Sequence, residues 1–181
     1  ILKSGTSVLV PAKGLAEVQR LLGKGEVEVV LGEREVSFSV DNAVITMRLI
    51  EGEYPNYEQL IPKGYPNVVT INREALAEAV KRVRLVAQDR NSQPVRLIMR
   101  TDGVELRQVA QEIGEANEYV DAKVEGSELE VAFNSEYLLD GLAASGSDEV
   151  MIETLDPLKP ATLHGTDQES FTYLLMPVRV S

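Results

Sequence analysis

The stretch that decides the fold is NVVTINREALAEAVKRVRLVAQ, residues 67–88. Its apolar start, from Val68 to Ile71, is typical of a short strand, and Asn72 has the side chain of a helix N-cap. Apolar residues then recur every three or four positions, which predicts one buried helical face. These residues are Leu76, Val80, Val83 and Ala87. The stretch therefore predicts a strand followed directly by an amphipathic helix.

The same pattern occurs three times along the chain. Helix-start positions at Pro11, Asn72 and Asn134 are almost evenly spaced, and a leucine stands at the fourth position after each of them. Strand-like runs follow each helix and are divided by turns rich in glycine, aspartate and asparagine. The sequence thus predicts an α+β fold of repeated β-α-β-β-β units, with helices on one face of antiparallel sheets.

The predicted strands fall into three groups, one for each copy of the repeat. They are Ser7–Val10, Val27–Leu31, Val36–Val40 and Ala43–Ile50; Val68–Ile71, Val95–Arg100, Val104–Ala110 and Glu118–Val124; Leu129–Phe133, Glu149–Thr154, Ala161–Gly165 and Phe171–Val178. One copy leaves its sheet and helix apolar on one side, so two copies must pair to form a stable domain. We expect the second and third copies to pair, and the mate of the first to lie before Ile1.

Composition limits the class of protein. A chain of 181 residues can bury one core and part of a second. No run of about 18 apolar residues is present, so no membrane partner is expected. The absence of cysteine excludes disulfides and fits a cytoplasmic protein. The net charge of -11, from 29 acidic and 18 basic residues, argues by itself against a nucleic-acid partner.

Catalytic chemistry has little support in the sequence. The single histidine, His164, lies in a predicted strand and turn, without the arrangement of a nucleophile and a base that a triad requires. The carboxylates are scattered and show no metal-ligand spacing, and no phosphate-binding glycine loop is present. We therefore predict no catalytic residue, no metal site and no cofactor.

Several motifs together resemble one family, the bacterial DNA polymerase III β subunit, which is the replicative sliding clamp. The similar segments are Val10–Gly14, Glu51–Tyr57 with Ile61 and Pro62, Gly114–Ala122, Leu129–Asn134 with Tyr137 and Leu138, and Tyr173–Arg179. The resemblance implies the DNA-clamp fold. It assigns residues 1–50 to the second half of the middle domain, 51–67 to a linker and 68–181 to a complete carboxy-terminal domain.

Members of this family are non-catalytic proteins that close into a ring around duplex DNA, with helices inside and sheets outside. The resemblance therefore implies that basic residues on the helices face DNA, which reconciles DNA passage with an acidic outer surface. The DNA-facing candidates are Lys13, Arg73, Lys81, Arg82 and Arg84. Without the family, these charges are better interpreted as a solvated helix face.

The family also binds linear peptide motifs of polymerases, the clamp loader and repair proteins in a groove between its second and third domains. Transferred to this sequence, the groove uses apolar walls with a few polar groups. The candidate residues are Pro55, Leu60, Asn134, Tyr137, Leu158, Leu174, Leu175, Met176, Pro177, Val178 and Arg179. Considered without the family, 174–178 is better explained as an edge strand of the core.

The ring of the family is a homodimer, and its contact residues can also be transferred. They are Val86, Ala87, Glu112, Glu115 and Glu118. By itself the 181-residue chain is expected to be a monomer or a weak non-native dimer. The family implies a bacterial, cytoplasmic and nucleoid-associated protein. The alternative is a non-catalytic scaffold of repeated α+β units that binds proteins and has no role with DNA.

Overall fold

The computed structural model describes residues 7–87, 94–110, 113–168 and 170–179. The chain divides into two compact units between Asn56 and Tyr57. The helices are α1 (Ala12–Leu21), α2 (Arg73–Val83) and α3 (Ser135–Ser145), with 3₁₀ turns at Tyr57–Gln59 and Arg84–Val86. The strands are β1 (Glu28–Leu31), β2 (Glu35–Val40), β3 (Ala43–Arg48), β4 (Asn67–Asn72), β5 (Pro94–Arg100), β6 (Gly103–Ala110), β7 (Gly114–Glu125), β8 (Leu129–Asn134), β9 (Glu149–Thr154), β10 (Ala161–Gly165) and β11 (Tyr173–Leu175).

The first unit contains one helix and the antiparallel sheet β1-β2-β3. Helix α1 lies against β3 at Gly14, where a Cβ atom would overlap the side chain of Met47. Val18, Val36 and Val40 are buried. The predicted strand at 7–10 is wrong as a regular strand, because only Leu9 pairs, in an isolated bridge with Ile50.

The second unit has one eight-stranded sheet in the order β11-β10-β9-β4-β7-β6-β5-β8. Two copies of β-α-β-β-β build it, one from β4 to β7 and one from β8 to β11. The first strand of each copy pairs with the second strand of the other, since β4 lies beside β9 and β8 lies beside β5. The predicted fold class, with repeated units and antiparallel sheets, is confirmed.

Both helices of the second unit cover the apolar face of this sheet. The predicted face of α2 is buried: Leu76, Val80 and Val83 have no exposed surface, and Ala87 has 8%. The core also takes large side chains from several strands and from α3. Its largest members include Ile71, Leu97, Met99, Leu106, Phe133, Leu138, Leu142, Ile152 and Leu163.

Asparagine side chains start α2 and α3, as predicted. The Oδ1 of Asn72 accepts a hydrogen bond from the backbone N–H of Ala75 at 2.9 Å. The Oδ1 of Asn134 accepts from Glu136 N–H at 2.8 Å and from Tyr137 N–H at 3.4 Å. These bonds satisfy donors that the first helical turn leaves without partners.

The last predicted strand, Phe171–Val178, is shorter than expected. Strand β11 covers only 173–175 and pairs Leu175 with Ala161 on β10. Pro177 has no N–H to donate, so a regular ladder cannot continue through it. Beyond the proline, the backbone N–H of Val178 donates to the carbonyl oxygen of Ala132 on β8 at 2.8 Å. Residues 176–179 are called the return segment below.

Candidate functional site

A depression of about 510 Å³ lies where the return segment meets the edge strand β8. Its floor and walls come from β5, β8, the loop between β9 and β10, and the return segment. The lining residues are Arg96, Glu130, Val131, Ala132, Pro157, Leu158, Val178 and Arg179. An open concave surface with apolar walls and a few charged groups is typical of peptide-binding sites.

Leu158 is presented by a tight turn. The carboxylate Oδ1 of Asp156 accepts hydrogen bonds from the backbone N–H groups of Leu158, at 2.8 Å, and Lys159, at 3.1 Å. The bond from the Leu158 N–H is the main reason that the pKa of Asp156 lies below its usual value. The side chain of Asp156 holds this turn. The exposed Leu158 is therefore a fixed part of the wall.

The depression has more positive than negative side chains along its lining. Arg96 Nη1 donates to Glu130 Oε1 at 2.8 Å, and both side chains are partly exposed. Arg179 is exposed, and within the described ranges no ion pair is found for it. Two cations and one carboxylate therefore line the depression, which gives it a local positive charge on a chain whose net charge is -11.

Three of the predicted groove residues line this depression: Leu158, Val178 and Arg179. The sequence did not indicate Arg96, Glu130 or the backbone of β8, because their position depends on the pairing of β5 with β8. The alternation of side chains along β8 was the signal that could have indicated Glu130. It places Val131 and Phe133 in the core and Glu130 and Ala132 on the opposite face of the strand.

The other predicted groove residues differ in accessibility. Met176 and Tyr137 are exposed, whereas Leu174 and Pro177 are half-buried. Leu175 corrects the prediction, because it is 2% exposed and belongs to the core cluster. It supports the wall from inside and offers no surface to a ligand.

Asn134 is already engaged by the fold. Its side-chain oxygen caps α3, so the free acceptor expected in a groove is bonded to the first turn of that helix. Leu60 is exposed and follows the 3₁₀ turn, with its N–H donating to Tyr57 O at 2.9 Å. Pro55 is exposed and belongs to the first unit.

The candidate DNA-facing residues of α2 are mostly bonded within the chain. Arg73 is half-buried, and its Nε donates to the backbone oxygen of Ser147 at 2.6 Å. Lys81 Nζ donates to Glu78 Oε1 at 2.8 Å, which places a carboxylate beside it on the same exposed face. Arg84 is half-buried. The charge of this helix surface is therefore mixed.

Arg82 makes the strongest of these contacts. Its Nε and Nη2 donate to the two carboxylate oxygens of Glu118, at 2.5 and 2.7 Å. The hydrogen bond from Arg82 holds the pKa of Glu118 below its usual range. Thus Arg82, a candidate for contact with DNA, and Glu118, a candidate for the ring contact, neutralise each other's charge. On the first unit, Lys13 is exposed near the start of α1.

Four ring-contact candidates remain, and the three that the structure describes have different environments. Glu112 lies outside the described residues. Glu115 is exposed and pairs with Arg107 at 2.6 Å, and this hydrogen bond lowers its pKa. Val86 is half-buried, but Ala87 corrects the prediction, because it faces the core at 8% exposure and adds little to an outer contact.

His164 does not form a catalytic triad. Glu153 Oε2 lies 3.4 Å from its Nε2 and accepts a hydrogen bond from Thr162 Oγ1 at 3.0 Å. The carboxylate thus separates the hydroxyl from the imidazole, whereas a triad needs the imidazole between them. Among the residues described, no group of three or more acidic or histidine side chains could hold a metal ion. Nor is any described helix long and apolar enough to cross a bilayer.

Comparison with known proteins identifies the family of this chain. The model for the C-terminal domain of the DNA polymerase III beta subunit matches residues 58–179, and the model for its central domain matches 2–56. The chain belongs to the DNA polymerase III beta subunit family, the sliding clamps.

Individual relatives agree with this assignment. The beta sliding clamp of Staphylococcus aureus is 34% identical over 176 residues, covering 96% of this chain and 47% of the relative. A sliding clamp from Bartonella birtlesii, solved with griselimycin bound, has a TM-score of 0.85 and 32% identity, covering 97% of this chain and 48% of that one. The clamp of Bacillus subtilis gives a TM-score of 0.83 at 28% identity, covering 96% and 47%. The chain therefore spans about half the length of these relatives.

Proposed function

We propose that this chain is the peptide-binding part of a bacterial sliding clamp, a processivity factor that encircles duplex DNA and performs no chemistry. The depression beside β8 is the observation that carries the proposal. It is built within 57–179 and brings together Leu158, Val178 and Arg179, three residues that the family resemblance assigned to the peptide groove.

The shape and chemistry of the depression suit a short linear motif. Leu158 and Pro157 form one apolar wall and Val178 forms the other, and the exposed Met176 stands two residues before Val178 in the chain. An unbranched methionine adapts to different apolar side chains, which suits a site that must accept several partners. Arg179 then provides a charge-assisted hydrogen bond to a backbone oxygen or a carboxylate. Polymerases, the clamp loader and repair proteins are the proposed partners.

The contact with DNA is proposed to be topological and weak. Lys81 and Arg82 already have carboxylate partners, and only part of their charge is available to phosphates. Salt at physiological strength screens distant charges beyond about 8 Å, so the net charge of -11 on the chain does not prevent DNA passage. A clamp that is held on DNA by its ring needs no tight phosphate contacts, and weak non-specific contacts still allow it to slide.

The organisation of the whole protein is part of the same proposal. Residues 1–50 form the second half of a middle domain, 51–67 a linker and 68–181 a carboxy-terminal domain. In a full-length homodimeric ring, Val86, Glu115 and Glu118 lie near the neighbouring protomer. Such a ring is expected in the bacterial cytoplasm, on the nucleoid.

Peptide titration tests the groove. A fluorescent peptide of the Gln-Leu-x-Leu-Phe type should bind the 181-residue chain saturably, measured by anisotropy. A Met176→Ala, Arg179→Ala double variant should lose this binding. A Leu85→Ala, Arg84→Ala double variant removes a similar pair of side chains next to α2 and should bind normally. Failure of the unaltered chain to bind, or equal loss in both variants, would contradict the groove assignment.

DNA retention separates the clamp from a protein-binding scaffold. Lys81, Arg82 and Arg84 are replaced by alanine in a full-length protein that carries this sequence. A clamp should then be loaded or retained less on circular DNA, while its peptide binding is unchanged. A scaffold would show no retention on DNA even before the substitutions.

A further inference from the structure

We propose that Asn67, which is not among the residues that line the depression, is a positioning residue for the wall formed by Pro157 and Leu158. Its side chain holds the turn between β9 and β10, residues 155–160, which is called the wall turn below. This role of Asn67 rests on the proposed function, because the wall belongs to the proposed peptide site.

The Asn67 side chain is buried, with 5% exposure, and both polar atoms of its amide are bonded. Its Nδ2 donates to the backbone oxygens of Thr154, at 3.3 Å, and Leu155, at 3.4 Å. Its Oδ1 accepts from the N–H of Ser127 at 2.9 Å. One buried amide thus joins the start of β4 to the turn between β7 and β8 and to the first residue of the wall turn.

The chain approaches this amide closely at Gly126. A Cβ atom there would overlap the Oδ1 of Asn67, and the φ angle of 103° is one that residues with a side chain rarely adopt. The turn at 126–127 therefore fits around the amide. Because Ser127 holds the oxygen, the nitrogen of the same planar group is directed towards the wall turn.

The bond from Asn67 connects the wall turn to a different part of the chain. The ladder between β4 and β9 ends at the pair of Asn67 and Thr154, and the amide extends this connection one residue further. The bonds from Asp156 to Leu158 and Lys159 lie within the wall turn. They fix the shape of the turn, whereas Asn67 fixes its place beside β4.

The two repeats differ at this point. In the other repeat, the turn between β5 and β6 has only two residues, 101–102, and the position of Asn67 is occupied by Leu129. The wall turn has six residues, and this extra length brings Leu158 to the depression. A longer turn has more conformations to restrict. The buried amide therefore stands where the turn is long, and an apolar side chain stands where the turn is short.

A fixed wall favours peptide binding through entropy. A peptide that packs against a mobile Leu158 must order the wall turn as it binds, and this cost reduces the affinity. Asn67 orders the wall turn beforehand. Loss of its bond should therefore weaken peptide binding and should also loosen the wall turn in the peptide-free protein.

Asn67→Asp separates the two connections of the amide. The carboxylate keeps an acceptor for the N–H of Ser127 but has no N–H to donate to Leu155. An anisotropy titration with the Gln-Leu-x-Leu-Phe peptide should show an affinity about fivefold weaker than that of the unaltered chain. The matched control is Asn72→Asp, which makes the same change of charge at the other end of β4 and keeps an effective helix cap. It should leave the affinity unchanged.

A variant of the wall itself identifies how Asn67 acts. In a Leu158→Ala background the wall side chain is already absent, so Asn67→Asp should cause little further loss of affinity. The same loss in both backgrounds would overturn the positioning role. So would an unchanged affinity of Asn67→Asp in a chain that binds the peptide.

Hydrogen exchange tests the same role without a peptide. The backbone N–H groups of Leu158 and Lys159 should exchange about tenfold faster in Asn67→Asp than in the unaltered chain or in Asn72→Asp, while those of β6 stay protected. Unchanged exchange at these two groups would contradict the role.

The two measurements separate this role from the proposed function. If the unaltered chain binds no peptide, the proposed function fails, and the exchange rates still decide whether Asn67 holds the wall turn. Circular dichroism checks the fold of each variant. If Asn67→Asp does not fold, Asn67→Ala with Asn72→Ala as its control replaces the pair, with the same expected results for the affinity and for the exchange.

Discussion

The two repeats of the second unit end differently, and the difference creates the depression. The last strand of the first repeat, β7, runs unbroken from Gly114 to Glu125 and pairs along β4 from Val68 to Ile71. The last strand of the second repeat stops at Leu175, and among the residues described beyond Pro177 one backbone hydrogen bond, from the N–H of Val178, reaches β8. Where the first repeat has a closed ladder, the second therefore has the depression in which we propose that a peptide binds.

The largest predicted effect concerns the strand beside that gap. Phe133 of β8 has no exposed surface and corresponds to Ile71 of β4. Because β8 has a full ladder on one side only, its side chains must hold it in place. Phe133→Ala should reduce the free energy of unfolding by about 3–5 kcal/mol. Ile71→Val, the mild control on the closed side, should cost about 1 kcal/mol. Urea unfolding followed by circular dichroism measures both, and a smaller loss for Phe133→Ala would contradict this view.

The two helix caps give the next comparison. Asn72→Ala and Asn134→Ala should each cost about 1 kcal/mol of stability, because each removes the acceptor for the first helical turn. If Asn134 also faces the bound peptide, its substitution alone should weaken peptide binding, measured by anisotropy at a temperature where both variants are folded. If the two variants bind the peptide with equal affinity, Asn134 acts only as the cap of α3 and does not contact the peptide.

The return segment itself should show a smaller effect. Pro177 fixes its own backbone and so limits the conformations of Met176 to Arg179 before a peptide binds. Pro177→Ala should weaken peptide binding by about two- to fivefold through the added conformational entropy. Pro62→Ala, outside the depression, is the matched control. Tighter peptide binding by the Pro177 variant would show that the proline restricts the site.

The smallest effect concerns an ion pair that is found in the first repeat only. Arg82 binds Glu118 on β7, whereas the corresponding residue of α3 is Ala144. The pKa of Glu118 is lowered in the folded state, chiefly by the hydrogen bond from Arg82. Its contribution is therefore present above the ordinary carboxyl pKa and is lost as the pH falls through the lowered value. Urea unfolding should show Glu118→Gln slightly less stable than the unaltered chain at pH 7 and equally stable at about pH 2. A difference that persists at the lower pH would contradict the assignment.

Local signals in the sequence predicted much of this fold. Helix α2 was found from the spacing of Leu76, Val80 and Val83, and its start from Asn72, because both features act within a few residues. The early end of β11 was also predictable, since Pro177 cannot donate to a ladder. The predicted strand to Val178 was too long because it ran through that proline.

Pairings between distant residues could not be predicted in the same way. Arg82 and Glu118 are 36 residues apart, and their bond depends on how α2 lies over β7. Arg96 and Glu130 come together only through the register of β5 with β8. The family resemblance named Leu158, Val178 and Arg179, which line the depression, but it also named Leu175, which is buried in the core.

The strand order also affects how the protein forms during synthesis. Strand β4 lies between β7 and β9, and β9 begins only at Glu149, far along the chain from Asn72 at the end of β4. A ribosome that has made residues 67–125 has therefore produced a sheet with one side of β4 still open. Pairings between such distant residues form slowly, and exposed strand edges favour aggregation. The nascent chain should thus depend on chaperones most strongly between the synthesis of β7 and that of β9.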